Sequence, residues 1–413
     1  MGINSKVIEF NLRNLSQLVF EVTDDCNLRC KYCGYADLYE GYDKREGKYM
    51  NFKHAKLILD YLLNIWRASH STGVIQPVTI GFYGGEPLLN MELIRKIVEY
   101  LRPHSDIGKK FIFNMTTNGL LLKRYADYLV DNDFRLLISL DGNREGQGYR
   151  VDVNGKNSFD RVFANVKYLQ TKYPEYFKRY VMFNSVLHNK NSVESIFHFI
   201  KQNFDKEPSI APLNDSGVRM DKVEEFNQTY RNYAESIESA SNCELLKEEL
   251  FIKNPMTAQL LDYIFYSSGN VYPSFNSLLY NPNSHDYPLT GTCTPFSKKM
   301  FVTVNGKILQ CGKISHEFSL GRINDTEVLL DYDYIANVYN VLTSKFEKEC
   351  KVCGDRYSCH QCVYQIRDLT KNTTKCPHII SHIQKQDIEK KTLQYLRKHP
   401  KLYYELLTKT VIR

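Results

Sequence analysis

Apolar residues along the first half of this chain alternate between two rhythms. Short, nearly continuous apolar runs at Leu18–Thr23, Val78–Tyr83, Phe111–Thr116, Phe134–Leu140 and Tyr180–Leu187 predict buried strands, with a sixth short strand at Ser209–Pro212. Between them apolar positions recur every three to four residues, which predicts helices over Asn51–Ala68 (Asn51 as the cap), Asn90–Leu101, Lys123–Asp131, Ser158–Gln170 and Ser192–Asn203. Six strands alternating with helices imply a parallel sheet with right-handed crossovers, because parallel neighbours cannot be joined by a tight turn. Six units are too few to close an eight-stranded barrel. The prediction is an α/β fold, a partial (β/α)6 TIM-like barrel whose loops at the strand C-termini form the active face.

The rhythm changes after residue 215. Residues 216–290 predict a helical bridge, with helices at Asp221–Ser241 and Met256–Ser267 and a turn-rich stretch, NSLLYNPNSHDYP, before Gly291. From there short segments dominate: Met300–Thr303 and Lys307–Gln310 predict a hairpin turning at Asn305-Gly306. Residues 381–413 predict a Lys-rich amphipathic tail. The expected organisation is therefore 1–215, 216–290, 291–380 and 381–413.

Composition narrows the class. A length of 413 residues, 43% hydrophobic and 24% charged, fits an ordinary globular protein of two or three domains. No signal peptide or spanning run is visible, which predicts a cytoplasmic protein with no membrane association. The net charge of +7 is spread among acidic residues, and the 30 Tyr and 22 Phe fall at core spacings, so no nucleic-acid partner is expected. Eleven cysteines change the picture: three lie within 26–33, seven within 293–376, and Cys243 stands apart as an expected buried structural thiol. Clustered thiols in a reducing compartment point to metal.

Cys26, Cys30 and Cys33 form C-x3-C-x2-C on the loop after the first strand. Three thiolates can hold three irons of a [4Fe–4S] cube and leave the fourth iron to chelate a ligand. Zinc is the alternative, but a structural zinc site closes with a fourth ligand, and no partner pair lies nearby. This spacing, with Tyr32 before the last cysteine, resembles the radical S-adenosylmethionine (SAM) superfamily. The resemblance implies that SAM binds the unique iron and is cleaved reductively to methionine and a 5′-deoxyadenosyl radical. By the same resemblance Gly84-Gly85-Glu86-Pro87, at the end of the second strand, is the motif for the SAM amino group. Thr117, Asn118, Ser139 and Asp141 are further SAM or substrate contacts, with capping and turn chemistry as their alternative. Arg150 is either a bidentate partner of the SAM carboxylate or an exposed loop arginine.

The second group reads Cys293, Gly306-x4-Cys311, Cys350-x2-Cys353-x5-Cys359-x2-Cys362 and Cys376-Pro377. Zinc remains open for this segment taken alone. Together with the N-terminal trio it resembles the cysteine-rich α+β SPASM domain, which implies two auxiliary [4Fe–4S] clusters. On that resemblance Cys293, Cys311 and Cys362 ligate the first, and Cys350, Cys353, Cys359 and Cys376 the second. The first lacks a fourth cysteine, so its open iron could take a substrate thiolate. Only two residues separate Cys359 from Cys362, where the usual pattern has three, and His360 is an alternative to Cys362.

Members with this layout mostly modify peptides and proteins. The expected function is hydrogen abstraction from a ribosomally made peptide with formation of a thioether or other crosslink, fed by a low-potential donor of the flavodoxin or ferredoxin type. The alternatives are an anaerobic sulfatase-maturating enzyme, which oxidises Cys or Ser to formylglycine, and a non-catalytic zinc scaffold. The sulfatase class carries an extra cysteine shortly after the first SPASM cysteine, which this chain lacks.

Overall fold

The computed structural model describes residues 2–68, 76–250, 255–264, 290–356, 358–371 and 373–409. All six predicted parallel strands are present: β1 Gln17–Thr23, β3 Gln76–Gly84, β4 Lys109–Thr117, β5 Arg135–Ser139, β7 Val181–Leu187 and β8 Ser209–Pro212. They pair side by side in that order, every neighbour parallel. The five connecting helices are also in place: Phe52–Ala68, Met91–Leu101, Leu122–Asp131, Phe159–Lys172 and Val193–Phe204. In the first of these Ala55, Ile58, Leu59, Leu62, Leu63 and Trp66 are buried on one face, and the Asn51 side chain caps its start by accepting from His54 N at 2.9 Å. Each large side chain so buried contributes roughly 1.5–3 kcal/mol. The aromatic residues do pack as core: Phe82, Phe113 and Phe134 stack at 5.6–6.4 Å between ring centres.

The predicted hairpin forms as β9 Met300–Val302 and β10 Lys307–Leu309, turning at Gly306 with φ +77°. Its placement was not legible in the sequence. β9 pairs parallel with β1 and so extends the sheet beyond the first parallel strand. Two strands the periodicity missed, β11 Gly321–Ile323 and β12 Val328–Leu329, continue it antiparallel. The ten strands run β12-β11-β10-β9-β1-β3-β4-β5-β7-β8.

A second, two-stranded sheet pairs β2 Leu28–Cys30 with β6 Arg150–Asp152, antiparallel, with Cys30 opposite Arg150. The cysteine segment is therefore tied down by backbone pairing as well as by its loop.

The single helix predicted over Asp221–Ser241 is broken into Val223–Thr229 and Tyr233–Glu238. Tyr230 is extended (φ −65°, ψ 142°) and forms a bridge with His188, while Thr229 O accepts from Asn189 N at 3.0 Å. A tertiary contact outcompetes local helical preference there. The second bridge helix covers Pro255–Asp262, and residues 265–267 of its predicted range and the turn-rich stretch at 276–288 lie outside the described residues. The tail is two helices, His382–Lys398 and Pro400–Lys409.

Two compact units result, and each is discontinuous in the chain. One joins Asn4–Ser236 to Cys293–Asn337 and holds the ten-stranded sheet. The other joins Met1–Ile3, Ile237–Thr292 and Val338–Arg413. No helix among the described residues is long and apolar enough to cross a membrane.

Candidate active site

The C-terminal ends of β1, β3, β4 and β5 carry, in order, the cysteine loop, GGEP, Thr117-Asn118-Gly119 and Ser139 to Asp141. Parallel strands put these turns on one edge of the sheet. Cys26, Cys30 and Cys33 line a cavity of about 600 Å³, with Asp24, Arg45 and Tyr35 among its other walls. Burial pushes the Cys26 thiol up to about 11 and the Cys30 thiol up to about 12. A positive centre is what such a set needs before its members ionise together.

GGEP holds the cysteine loop through its backbone. Gly85 N donates to Thr23 O at 2.8 Å and Glu86 N to Asp25 O at 2.9 Å. The approach leaves no room for a side chain: a Cβ at Gly84, whose φ is +129°, would stand 2.2 Å from Thr23 O, and one at Gly85 would stand 1.9 Å from Asp25 O. Pro87 is buried and starts a short 3-10 turn that the Glu86 side chain caps through Leu88 N.

Glu86 is itself buried, and its carboxylate accepts from Thr117 Oγ1 (2.6 Å), Asn118 N (2.8 Å) and Leu88 N (3.2 Å). Burial raises it to about 7 against the lowering effect of these three donors. Thr117 and Asn118 also do the turn work that was their alternative reading. Gly119 N donates to Thr117 Oγ1 and Leu120 N to Asn118 Oδ1. The Asn118 amide donates to Asn27 Oδ1 at 2.8 Å and approaches Cys26 Sγ at 3.7 Å, tying β4 to the cysteine loop.

Asp141 is the centre of a second buried network. It takes a two-pronged ion pair from Arg150 (Nε to Oδ2 2.8 Å, Nη2 to Oδ1 3.0 Å) and a hydrogen bond from the Tyr32 hydroxyl, and His188 Nε2 lies 3.8 Å away. Burial alone would raise Asp141, but the Arg150 charge and the hydrogen bonds hold it at about 2. Tyr32 stacks on His188 at 5.6 Å. Arg150 is buried, which removes the exposed-loop alternative, and its fork is engaged by Asp141. Ser139 is buried at the end of β5.

Sequence reasoning missed several residues here. Arg45 donates to Cys33 Sγ at 3.1 Å, and Tyr35 donates to the buried Glu21 carboxylate. Asn191 donates to Asp141 O at 3.1 Å, and the Gln147 side chain accepts from Asp141 N at 2.9 Å. None lies in a recognisable motif, and chain separation hides their partners.

In the C-terminal half Cys293 and Cys311 belong to the sheet unit, where Gln310 Nε2 donates to Cys293 O at 3.3 Å. Cys350, Cys353, Cys359, Cys362 and Cys376 belong to the other unit. Four of them, Cys350, Cys353, Cys359 and Cys376, line one cavity of about 250 Å³, and His360 lines it too, whereas Cys362 does not. Burial, then the neighbouring Cys359, Cys376 and Cys353, push Cys350 up to about 12. The walls are braced locally: Gly354 N donates to Ile380 O at 2.8 Å and Cys376 N to Glu349 Oε2 at 2.8 Å. Cys243, expected to be buried, is half-buried at the first position of the short helix Cys243–Glu249. Among the described residues no three His, Cys, Asp or Glu side chains converge as a single metal ion requires.

A cysteine trio, a glycine-built brace and a buried carboxylate on one edge of a parallel sheet define a class, and comparison with known proteins gives the same one. Residues 20–202 match the Radical SAM superfamily: the chain carries a radical SAM domain, an enzyme's domain and not a scaffold's. That family implies SAM and a SAM-binding [4Fe–4S] cluster.

Among its relatives is the cysteine-type anaerobic sulfatase-maturating enzyme of Clostridium novyi. The two are 29% identical over 214 residues, which cover 49% of this chain and 54% of that one. The chain spans about half the length of the relatives it matches. The fold is that of native anSMEcpe with bound AdoMet and Cp18Cys peptide (TM-score 0.61, 20% identity, covering 95% of this chain and 99% of that one). It is also shared with Streptococcus suis SuiB bound to precursor peptide SuiA (TM-score 0.50, 17% identity, covering 82% and 70%).

Proposed function

We propose that this chain is a radical SAM enzyme that modifies a peptide or protein substrate, and that the modification is a thioether or other crosslink in a ribosomally made peptide. The observation that carries the choice is a cysteine count: no cysteine lies between Cys293 and Cys311, so the first auxiliary group is one ligand short. An iron left open in this way suits capture of a substrate thiolate. The peptides bound by anSMEcpe and SuiB belong to those proteins, and they support a peptide-sized substrate for this shared fold.

The residues fit the groups the reading requires. Cys26, Cys30 and Cys33 would hold the SAM-binding cluster: three thiols within eight residues line one cavity, which suits a cationic soft centre. Glu86, buried with its carboxylate facing three hydrogen-bond donors, would take the SAM ammonium group. Cys350, Cys353, Cys359 and Cys376 would hold the second auxiliary cluster, their four thiols lining one cavity. With SAM and reductant present, a cluster held there would supply the one electron whose transfer to SAM makes the adenosyl group a hydrogen-atom acceptor. The chain's own contribution is geometric: GGEP fixes the cysteine loop, and Asp141 fixes Tyr32 and Arg150 behind it. An electron donor of the flavodoxin or ferredoxin type is part of the proposal.

A second reading, oxidation of a substrate Cys to formylglycine, is favoured by the 29% identity to the Clostridium novyi enzyme. One experiment separates them. The reduced, reconstituted chain is incubated with SAM and small cysteine-containing peptides, and products are mapped by tandem mass spectrometry. Loss of two hydrogens at a thioether or carbon–carbon crosslink supports maturation by crosslinking. An aldehyde in place of the thiol group assigns the sulfatase class, and absence of any SAM-dependent peptide product sinks both.

A further inference from the structure

Arg45 stands twelve residues beyond Cys33 in the chain and returns to it, with Nη2 donating to Cys33 Sγ at 3.1 Å. Its guanidinium carbon lies 4.5 Å from the centre of the Tyr35 ring. The Tyr35 hydroxyl donates to the Glu21 carboxylate, which also accepts from Val304 N at 2.9 Å, so the platform beneath Arg45 is anchored to the sheet.

Three guanidiniums lie around the N-terminal thiols, and they are engaged differently: Arg29 donates to the backbone oxygens of Cys26 and Leu28. Arg150, near Cys30, spends its charge on Asp141 in a buried two-pronged pair. Arg45 has no ion pair with a carboxylate among the described residues, and its Nε is buried without a hydrogen-bond acceptor. A guanidinium drawn out of water is costly unless an anion faces it. The only sulfur it touches among the described residues is Cys33. Cys26 is different again, since its sulfur receives the neutral donors Leu28 N (3.4 Å) and Asn118 Nδ2 (3.7 Å).

We propose that Arg45 is the fixed countercharge of the Cys33 thiolate and a positioning residue that raises the reduction potential of the cluster held by Cys26, Cys30 and Cys33, with Tyr35 fixing its plane. This rests on Cys33 being a cluster ligand. One-electron reduction makes the cluster more negative by one charge, and a cation in contact stabilises the reduced form more than the oxidised one. Hydrogen bonds to ligand sulfur act in the same direction, and a charged donor acts more strongly than a neutral one. Arg45 therefore brings the cluster within reach of its electron donor.

The test is a redox titration of the anaerobically reconstituted full chain, following the electron paramagnetic resonance signal that SAM perturbs. R45Q is expected to take up iron and to lower the potential, so that the reduced-to-oxidised ratio at a fixed applied potential falls about tenfold, about 59 mV for one electron. R45K keeps the charge and loses the planar fork, and is expected to shift the same way by less. An unchanged potential in iron-loaded R45Q overturns the proposal and leaves the cluster reading standing. An R45K potential at or above that of the unaltered protein overturns it even where R45Q does not load. A wild-type chain with no SAM-perturbed signal overturns the cluster reading itself.

Discussion

Arg150 and Asp141 meet fork to fork inside the protein, Nε to Oδ2 at 2.8 Å and Nη2 to Oδ1 at 3.0 Å, with both side chains buried. Breaking such a pair from one side strands a charge. D141N is expected to destabilise the fold by about 3–5 kcal/mol, and D141N combined with R150M by less, because the double variant leaves no unpaired ion. Urea unfolding of the two variants checks the order. Asp141 is held at about 2, below its ordinary 3.8, so its contribution is fully present above about pH 4 and is lost as pH falls towards 2. The acid limb of the stability curve is expected to flatten in the double variant.

Glu86 runs the other way. Its folded value is raised to about 7 from 4.5, so the native state holds a proton that the unfolded chain has released. Stability of the ligand-free protein is therefore expected to fall between about pH 4.5 and 7, by on the order of 3 kcal/mol, and E86Q to abolish that slope. Denaturation midpoints across this range check it. E86Q is also expected to weaken SAM binding at least tenfold, measured by calorimetry, since the amide cannot neutralise an ammonium group.

Gly85 has no space for a methyl group, because its Cβ would stand 1.9 Å from Asp25 O. G85A is expected to push the cysteine loop away from β3. The stability loss should be about 1–3 kcal/mol, and iron uptake at the N-terminal site should fall with it. Thermal unfolding and iron analysis of G85A read the two effects separately.

The four thiols around the 250 Å³ cavity give a count. C350A with C353A is expected to lower iron content by about four atoms per chain, one cubane's worth. The SAM-perturbed signal should persist, since those residues belong to a different unit from Cys26, Cys30 and Cys33. Retention of all the iron would refute the assignment of this cavity.

The sequence by itself determined the repeating part of this protein. Apolar patterning placed six strands and five helices, because a helix shows one face to the core every three to four residues whereas a strand inside a parallel sheet is buried on both faces and reads as a short apolar run. Cysteine spacing and the Gly-Gly-Glu turn marked one edge of the sheet, because close ligation and close approach demand particular residue types within a few positions. What tertiary structure alone decided are the meetings of distant residues. Arg45 reaches Cys33, Arg150 reaches Asp141, β9 joins β1, and Tyr230 leaves its helix to pair with His188. No local pattern encodes these, since an arginine on a loop looks the same whether water or a buried carboxylate awaits it. Sheet order brings the partners together, and removal from water then makes each pairing obligatory.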